Sequence, residues 1–172
     1  MSTDRPSCAI AFTDIVGFTE FTAAHGDEAA LQVLDLQGRI VREVLPHESR
    51  VVKELGDGLM LWFPDGRTAI DTCLRLRRRF VDARAPLWVR IGLHWGTPHR
   101  RGDDYVGHDV NVAARIVDLA GPGELLVSDS LRTVLDDEGQ GVRLEELGPV
   151  VMKGIPDPVG LFRASQPAEA PS

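Results

Sequence analysis

Two aspartates stand in apolar, strand-like segments: Asp14 within Phe12-Thr13-Asp14-Ile15-Val16-Gly17-Phe18-Thr19, and Asp57 within Val51-Val52-Lys53-Glu54-Leu55-Gly56-Asp57-Gly58-Leu59-Met60. A carboxylate at the end of a buried strand is costly unless something pairs with it. Two of them, brought together by adjacent strands, are the minimum protein share of a two-metal phosphate site, where divalent ions about 3.5–4 Å apart hold the attacking and leaving oxygens. Further polar residues interrupt otherwise apolar segments: Lys53, Asp104, Asn111, Arg115 and Lys153. Taken singly, each has an ordinary reading. Asp14 could cap the following helix, Asp57 could be a turn aspartate and Lys53 could blunt a sheet edge. Asp104 could be one more loop acid, Asn111 and Arg115 could bond locally, and Lys153 could be solvated. Asn111 and Arg115, however, are one helical turn apart and share a face, so both can reach one ligand. The chain has no Gly-rich loop ending in Lys and Ser/Thr, no His-Glu-x-x-His and no dinucleotide fingerprint, which removes those nucleotide and metal sites.

The bulk properties narrow the setting. A chain of 172 residues fits one domain, and a domain of that size buries roughly 70% of the surface its unfolded form exposes. Cys8 and Cys73 match no metal or redox spacing and read as reduced, buried small hydrophobes. That usage, with no signal-peptide pattern and no apolar run near the ~20 residues of a membrane span, predicts a soluble cytoplasmic protein. A formal charge of −7 argues against a nucleic-acid surface. Arg75-Leu76-Arg77-Arg78-Arg79 is the one basic cluster, and it reads as the solvated face of a helix whose apolar side is Ala69, Ile70, Cys73, Leu74 and Phe80.

The elements that must position these residues follow from periodicity. A strand is predicted over 7–13, then a long helix from the Gly17 break to about Leu45, where Pro46 stops it. Strands 50–54 and 59–63 flank Gly56-Asp57-Gly58, which puts Asp57 at a hairpin tip. A helix over 65–83 leads to the apolar strand 87–95, and Gly96-Thr97-Pro98 turns into a polar strand ending near Tyr105. A buried helix spans 108–119, stopped by Gly121-Pro122-Gly123; a strand over 124–127, a helix over 129–135 and strands 142–155 and 159–164 complete the chain. The expected class is α+β, a ferredoxin-like βαββαβ core with C-terminal strand and helix additions. Residues 1–6 are expected to be a flexible start, 7–164 the domain and 165–172 a disordered tail, since the tail has no apolar content to fold with.

The joint occurrence of these residues is similar to one family. From Cys8 to about Arg163 the chain resembles the catalytic domain of class III nucleotidyl cyclases. Residues 12–19 look like that family's first metal motif and Val52-Lys53-Glu54-Leu55-Gly56-Asp57-Gly58 like its second. Residues 104–115, from Asp104 to Arg115, resemble its third signature, and Met152-Lys153-Gly154-Ile155 its C-terminal phosphate-contact strand. The resemblance implies that Asp14, Asp57 and the backbone carbonyl of Ile15 hold two divalent cations, Mg²⁺ or Mn²⁺, for which oxygen ligands are suited. It implies that Lys53 and Asp104 read adenine, that Asn111 positions the ribose, that Arg115 neutralises the α-phosphate and that Lys153 grips the terminal phosphates. The implied reaction is attack of the ribose 3′-hydroxyl of ATP on its α-phosphorus, giving 3′,5′-cyclic AMP and pyrophosphate. In such cyclases the metal aspartates and the purine and transition-state residues come from different subunits, so a head-to-tail homodimer with two shared sites is expected. The stretch His99 to Asp103 would be part of a dimer-gripping hairpin or a plain solvent hairpin.

Glu54 stands beside Lys53 where many relatives carry a small hydroxyl residue, and strand alternation would turn it to the opposite face. The competing readings are a catalytically silent cyclase-like nucleotide-binding or partner module, which would ordinarily have lost a metal aspartate or the Asn/Arg pair, and a guanylate cyclase, disfavoured by Lys53 and Asp104. A diguanylate cyclase or polymerase palm would share the metal logic without the Asn111/Arg115 helix.

Overall fold

The computed structural model describes residues 5–135 and 141–167. Its centre is β1 (Cys8–Ile15), in which every side chain but that of Asp14 is buried. β1 pairs antiparallel with β3 (Gly58–Phe63) on one side and β4 (Val89–Gly96) on the other. β2 (Arg50–Leu55) forms the edge beyond β3. Helices connect β1 to β2 and β3 to β4, which together with the order β2-β3-β1-β4 makes the ferredoxin-like core. The sheet then continues through β7 (Leu125–Ser128), β9 (Val159–Ser165) and β8 (Arg143–Val150), so the C-terminal additions extend one sheet to seven strands.

The first connection differs from the single helix expected to run to Leu45. Gly26, at φ 89°, divides it into α1 (Phe18–His25) and α2 (Asp27–Val44). A positive φ is cheap only for glycine, so the break is written at that residue. α2 buries Ala30, Val33, Gln37, Ile40, Val41 and Val44 at helical spacing, whereas α1 buries nothing completely. α3 (Gly66–Asp82) begins where the Asp65 carboxylate accepts the Thr68 N–H at 2.7 Å. α2 and α3 cover one face of the sheet, where Ile40 and Ile70 of the helices share a core with Leu61, Phe63 and Leu93 of the strands, the burial of each contributing about 1.5–3 kcal/mol.

The other face carries α4 (His108–Leu119), packed on β1 and β4, with its Ala113 and Val117 in one buried cluster with Ile10 of β1 and Met60 of β3. The approach is close. A Cβ on Gly92 would stand 2.4 Å from the Val117 nitrogen, so bare backbone at 92 sets the depth of α4 on the sheet. α5 (Asp129–Val134) follows β7 and is capped by Ser128.

Two further departures bear on the site. The polar strand expected to end near Tyr105 is a small hairpin, β5 (His99–Arg101) and β6 (Asp104–Val106), turned by Gly102 at φ 62°. The strand expected over 142–155 ends at Val150; Met152 and Ile155 are then buried against Val112 and Ile116 of α4. Gly154 at φ 79° lets the chain turn there, which leaves Lys153 exposed beside the helix. Cys8 and Cys73 are buried free thiols, and burial pushes them up to about 11 and about 12. No helix among the described residues is long and apolar enough to cross a membrane. Residues 1–4 and 168–172, parts of the expected flexible start and tail, lie outside the described residues.

Candidate active site

The structure gathers the sequence-derived residues into three groups. In the first, the β2–β3 turn is drawn onto the end of β1. The Leu59 N–H donates to Thr13 Oγ1 at 3.1 Å, and a Cβ on Gly58 would lie 2.5 Å from the Thr13 carbonyl oxygen, so only glycine allows that contact. Gln37 from α2 donates to the Asp57 carbonyl at 3.3 Å. The Asp57 carboxylate, so placed, accepts the Ile15 N–H at 3.0 Å and lies beside Asp14. Burial, and then the neighbouring Asp14 carboxylate, push the Asp57 carboxyl above its ordinary value.

Asp14 has a partner that the motifs did not single out. Arg90 is its register neighbour on β4 and donates to Asp14 Oδ2 from Nε at 2.9 Å and from Nη2 at 2.6 Å. Its Nη1 also reaches the carbonyls of Asp118 and Ala120 at 3.3 and 3.4 Å, tying the end of α4 to the metal-type group. An arginine inside the apolar segment 87–95 was the available signal; its partner depended on strand register. Among the described residues no group of three or more His, Cys, Asp or Glu side chains converges. Two adjacent carboxylates with a mutual charge penalty, together with backbone oxygen, nonetheless form a donor set that fits hard divalent cations.

The second group is Lys53 and Asp104. Lys53 Nζ donates to Asp104 Oδ2 at 3.0 Å, across from β2 to the start of β6. That bond, and then the Tyr105 N–H at 2.8 Å from Oδ1, hold the Asp104 carboxyl below its ordinary value. Behind the pair, Trp62 stacks on Tyr105 at 6.3 Å and the Arg50 guanidinium lies 5.4 Å over the Tyr105 ring. Glu54 is exposed next to the register shift between Val51 and Lys53.

The third group lines a groove of about 390 Å³ formed by Asn111, Ala114 and Arg115 of α4 with Lys153, Gly154 and Ile155. Arg115 approaches Asp118 at 3.6 Å, and the side chains of Asn111 and Lys153 make no hydrogen bond to a described residue. Among the described residues, no hydrogen bond or ion pair joins the side chains of Asp14, Asp57, Lys53 or Asp104 to those of Asn111, Arg115 or Lys153; Arg90 reaches only the backbone at the end of α4.

The profile of a known family, the adenylate and guanylate cyclase catalytic domain, matches residues 2–163. The chain belongs to this family. The cyclase domain is 33% identical over 162 residues to the pH-sensitive adenylate cyclase MT1302 of Mycobacterium tuberculosis, a match covering 92% of this chain and 41% of that protein. It is 28% identical over 137 residues to an adenylate cyclase of Streptomyces griseus, covering 79% of this chain and 34% of that protein. The chain thus spans about two fifths of the length of the first of these curated relatives and a third of the second. In fold the cyclase domain is similar to the adenylyl cyclase CyaB of P. aeruginosa, with a TM-score of 0.76, 23% identity and coverage of 96% of this chain and 97% of that one. It is equally similar to the guanylyl cyclase Cya2, with a TM-score of 0.79, 21% identity and coverage of 99% and 98%. The fold is therefore shared by enzymes of both nucleotide specificities.

Proposed function

We propose that this cyclase domain converts ATP to 3′,5′-cyclic AMP and pyrophosphate at sites shared between two copies of the chain. The observation that carries this reading is the coexistence in one chain of two unlinked groups: Asp14 with Asp57, and Asn111 with Arg115 and Lys153. Each group is half of a phosphoryl-transfer site. A head-to-tail pair of chains about a two-fold axis would set the metal-type half of each against the groove of the other.

Divalent ions held by Asp14, Asp57 and the Ile15 carbonyl would supply charge neutralisation for the triphosphate and acidify the attacking hydroxyl. The protein's own work is positioning. Asn111 offers an amide to the ribose, and Arg115 presents its planar guanidinium to the α-phosphate as charge builds during in-line displacement. Lys153 holds the terminal phosphates as a point charge. Arg90 offsets the charge of Asp14 and fixes its orientation. The nucleophile belongs to the substrate, so orientation and electrostatics are what the side chains contribute.

Lys53 and Asp104 favour adenine. Lys53 donates and Asp104 accepts, which matches the ring-nitrogen acceptor and exocyclic amine donor of adenine, whereas guanine presents a ring N–H donor and a carbonyl acceptor. Two relatives named adenylate cyclases support the same choice. Incubating the purified protein with ATP or GTP and Mn²⁺ or Mg²⁺, with chromatographic analysis of the products, tests the reading. Cyclic AMP is the expected product, with kcat/KM higher for ATP. Binding without turnover would replace the enzyme by a nucleotide-binding module, and equal use of GTP would remove the proposed roles of Lys53 and Asp104.

A further inference from the structure

A polar network unused by that chemistry lies at the opposite end of α4 from Arg90. His94 on β4 is 7% exposed, and its Nε2 stands 2.8 Å from Asp109 Oδ1 in the first turn of α4. The second Asp109 oxygen accepts the Thr97 N–H at 2.8 Å. On the other side of the ring, His94 Nδ1 is 2.8 Å from Ser128 Oγ, Ser128 Oγ is 2.9 Å from Ser130 Oγ, and Ser130 Oγ is 2.8 Å from the Trp95 carbonyl. A Cβ on Gly96 would stand 2.2 Å from the Asp109 carboxyl carbon, so the chain keeps bare backbone where Asp109 enters.

Ser130 donates to the Trp95 carbonyl, which can only accept, and its hydroxyl oxygen also stands 3.2 Å from His94 Nδ1, so that ring nitrogen faces both serine hydroxyls. The Asp109 carboxylate can only accept, so the proton in its contact with His94 belongs to Nε2. The other ionisable groups around the pair are the Cys8 thiol of β1, which the Asp109 charge helps to raise, and His108, whose charge lowers Asp109. The hydrogen bond from His94 holds the Asp109 carboxyl below its ordinary value, as a paired carboxylate requires.

We propose that His94 is a positioning residue for the cyclase reaction: held between Asp109 at Nε2 and Ser128 at Nδ1, it clamps the first turn of α4 to β4 and β7 and so sets the placement of Asn111 and Arg115. The inference rests on the reading of α4 as the transition-state half of the site. Asn111 is two residues from Asp109, and Arg115 lies one turn further along the same helix. With Gly92 setting the depth of the helix at Val117, the His94–Asp109 bond sets its rotation and tilt at the other end. A misplacement of about 1 Å in such a group costs on the order of 100-fold in rate.

Three measurements decide it. In ¹⁵N spectra of the wild-type protein, His94 Nε2 is expected to carry the proton that bonds Asp109; a ring whose Nε2 bears no proton overturns the clamp whether or not the protein is a cyclase. Replacing the ring in His94→Leu is expected to lower kcat on the order of 10- to 100-fold with KM for ATP little changed, and His94→Gln, which keeps a donor toward Asp109, to recover part of the loss. A folded His94→Leu protein with wild-type kcat overturns the positioning role; if that variant does not fold, Asp109→Asn, which keeps size and one acceptor oxygen, takes its place with the same expected loss. Mixing separates positioning from general damage. His94→Leu chains should regain activity when mixed with Asp14→Ala chains but not with Arg115→Ala chains, because His94 and Arg115 serve the same half-site. Equal rescue by both, or by neither when Asp14→Ala and Arg115→Ala rescue each other, overturns the proposal.

Discussion

The metal-type end of the sheet, with Asp14 and Asp57, and the α4 groove, with Arg115 and Lys153, bring opposite charges to bear and are held very differently. Asp57 is fixed by the Ile15 N–H, by Gln37 on its own carbonyl and by a glycine that meets the Thr13 backbone, and Asp14 is gripped by Arg90. The side chains of Asn111 and Lys153 have no hydrogen-bond partner among the described residues, and Arg115 has only a loose neighbour in Asp118. One half of the site is built within a single chain. The other half presents free donors, which is what a surface completed by substrate and a second copy would offer.

The contrast is broken most severely at Asp57. Asp57→Asn keeps an acceptor for the Ile15 N–H but removes a ligand charge, so turnover is expected to fall on the order of 1,000-fold or more. Stability should move the other way. Burial and Asp14 raise the Asp57 carboxyl in the folded chain, so metal-free stability falls as pH rises from the ordinary carboxylate range through that raised value. The asparagine removes this penalty, and thermal denaturation without metal at neutral pH should give a higher Tm than wild type. A lower Tm would mean that the pair is already compensated within the chain.

A subtler variation separates the two ends instead of destroying one. Asp14→Ala and Arg115→Ala chains should each be inactive alone. Mixed in equal amounts with free subunit exchange, half of the dimers are mixed and each has one intact site of two, so activity should return to about a quarter of wild type. No recovery, with mixed dimers confirmed by mass, would place both ends in one chain's site.

The smallest expected effect lies between the two ends, at the Lys53–Asp104 pair. Both side chains are more than a third exposed, at 39% and 38%, so the pair itself contributes little to stability. Lys53→Met should leave Tm nearly unchanged while lowering the ATP over GTP preference in kcat/KM on the order of 10-fold. An unchanged preference would assign purine selection elsewhere, with the stacked Trp62 and Tyr105 the first residues to test.

The strands and helices bearing Asp14, Asp57, Asn111 and Arg115 were legible because each is announced by local pattern: apolar runs, a glycine-flanked turn and a helical repeat. Where reading along the chain failed, the deciding contact was distant. The break at Gly26 sits within a continuous helical pattern, and the strand over 142–155 stops at Val150 because Met152 and Ile155 find their burial under α4 rather than in the sheet.

The sequence by itself determined the family to which the chain belongs and the side chains to which we assign cations, purine and phosphate. Only the tertiary structure decided how those side chains are supported. Arg90 meets Asp14 across 76 positions, and His94 meets Asp109 and Ser128 across 15 and 34. Such pairings depend on strand register and on how deeply α4 settles against Gly92. A one-residue slip in register would turn every one of them to the opposite face, which no local pattern records.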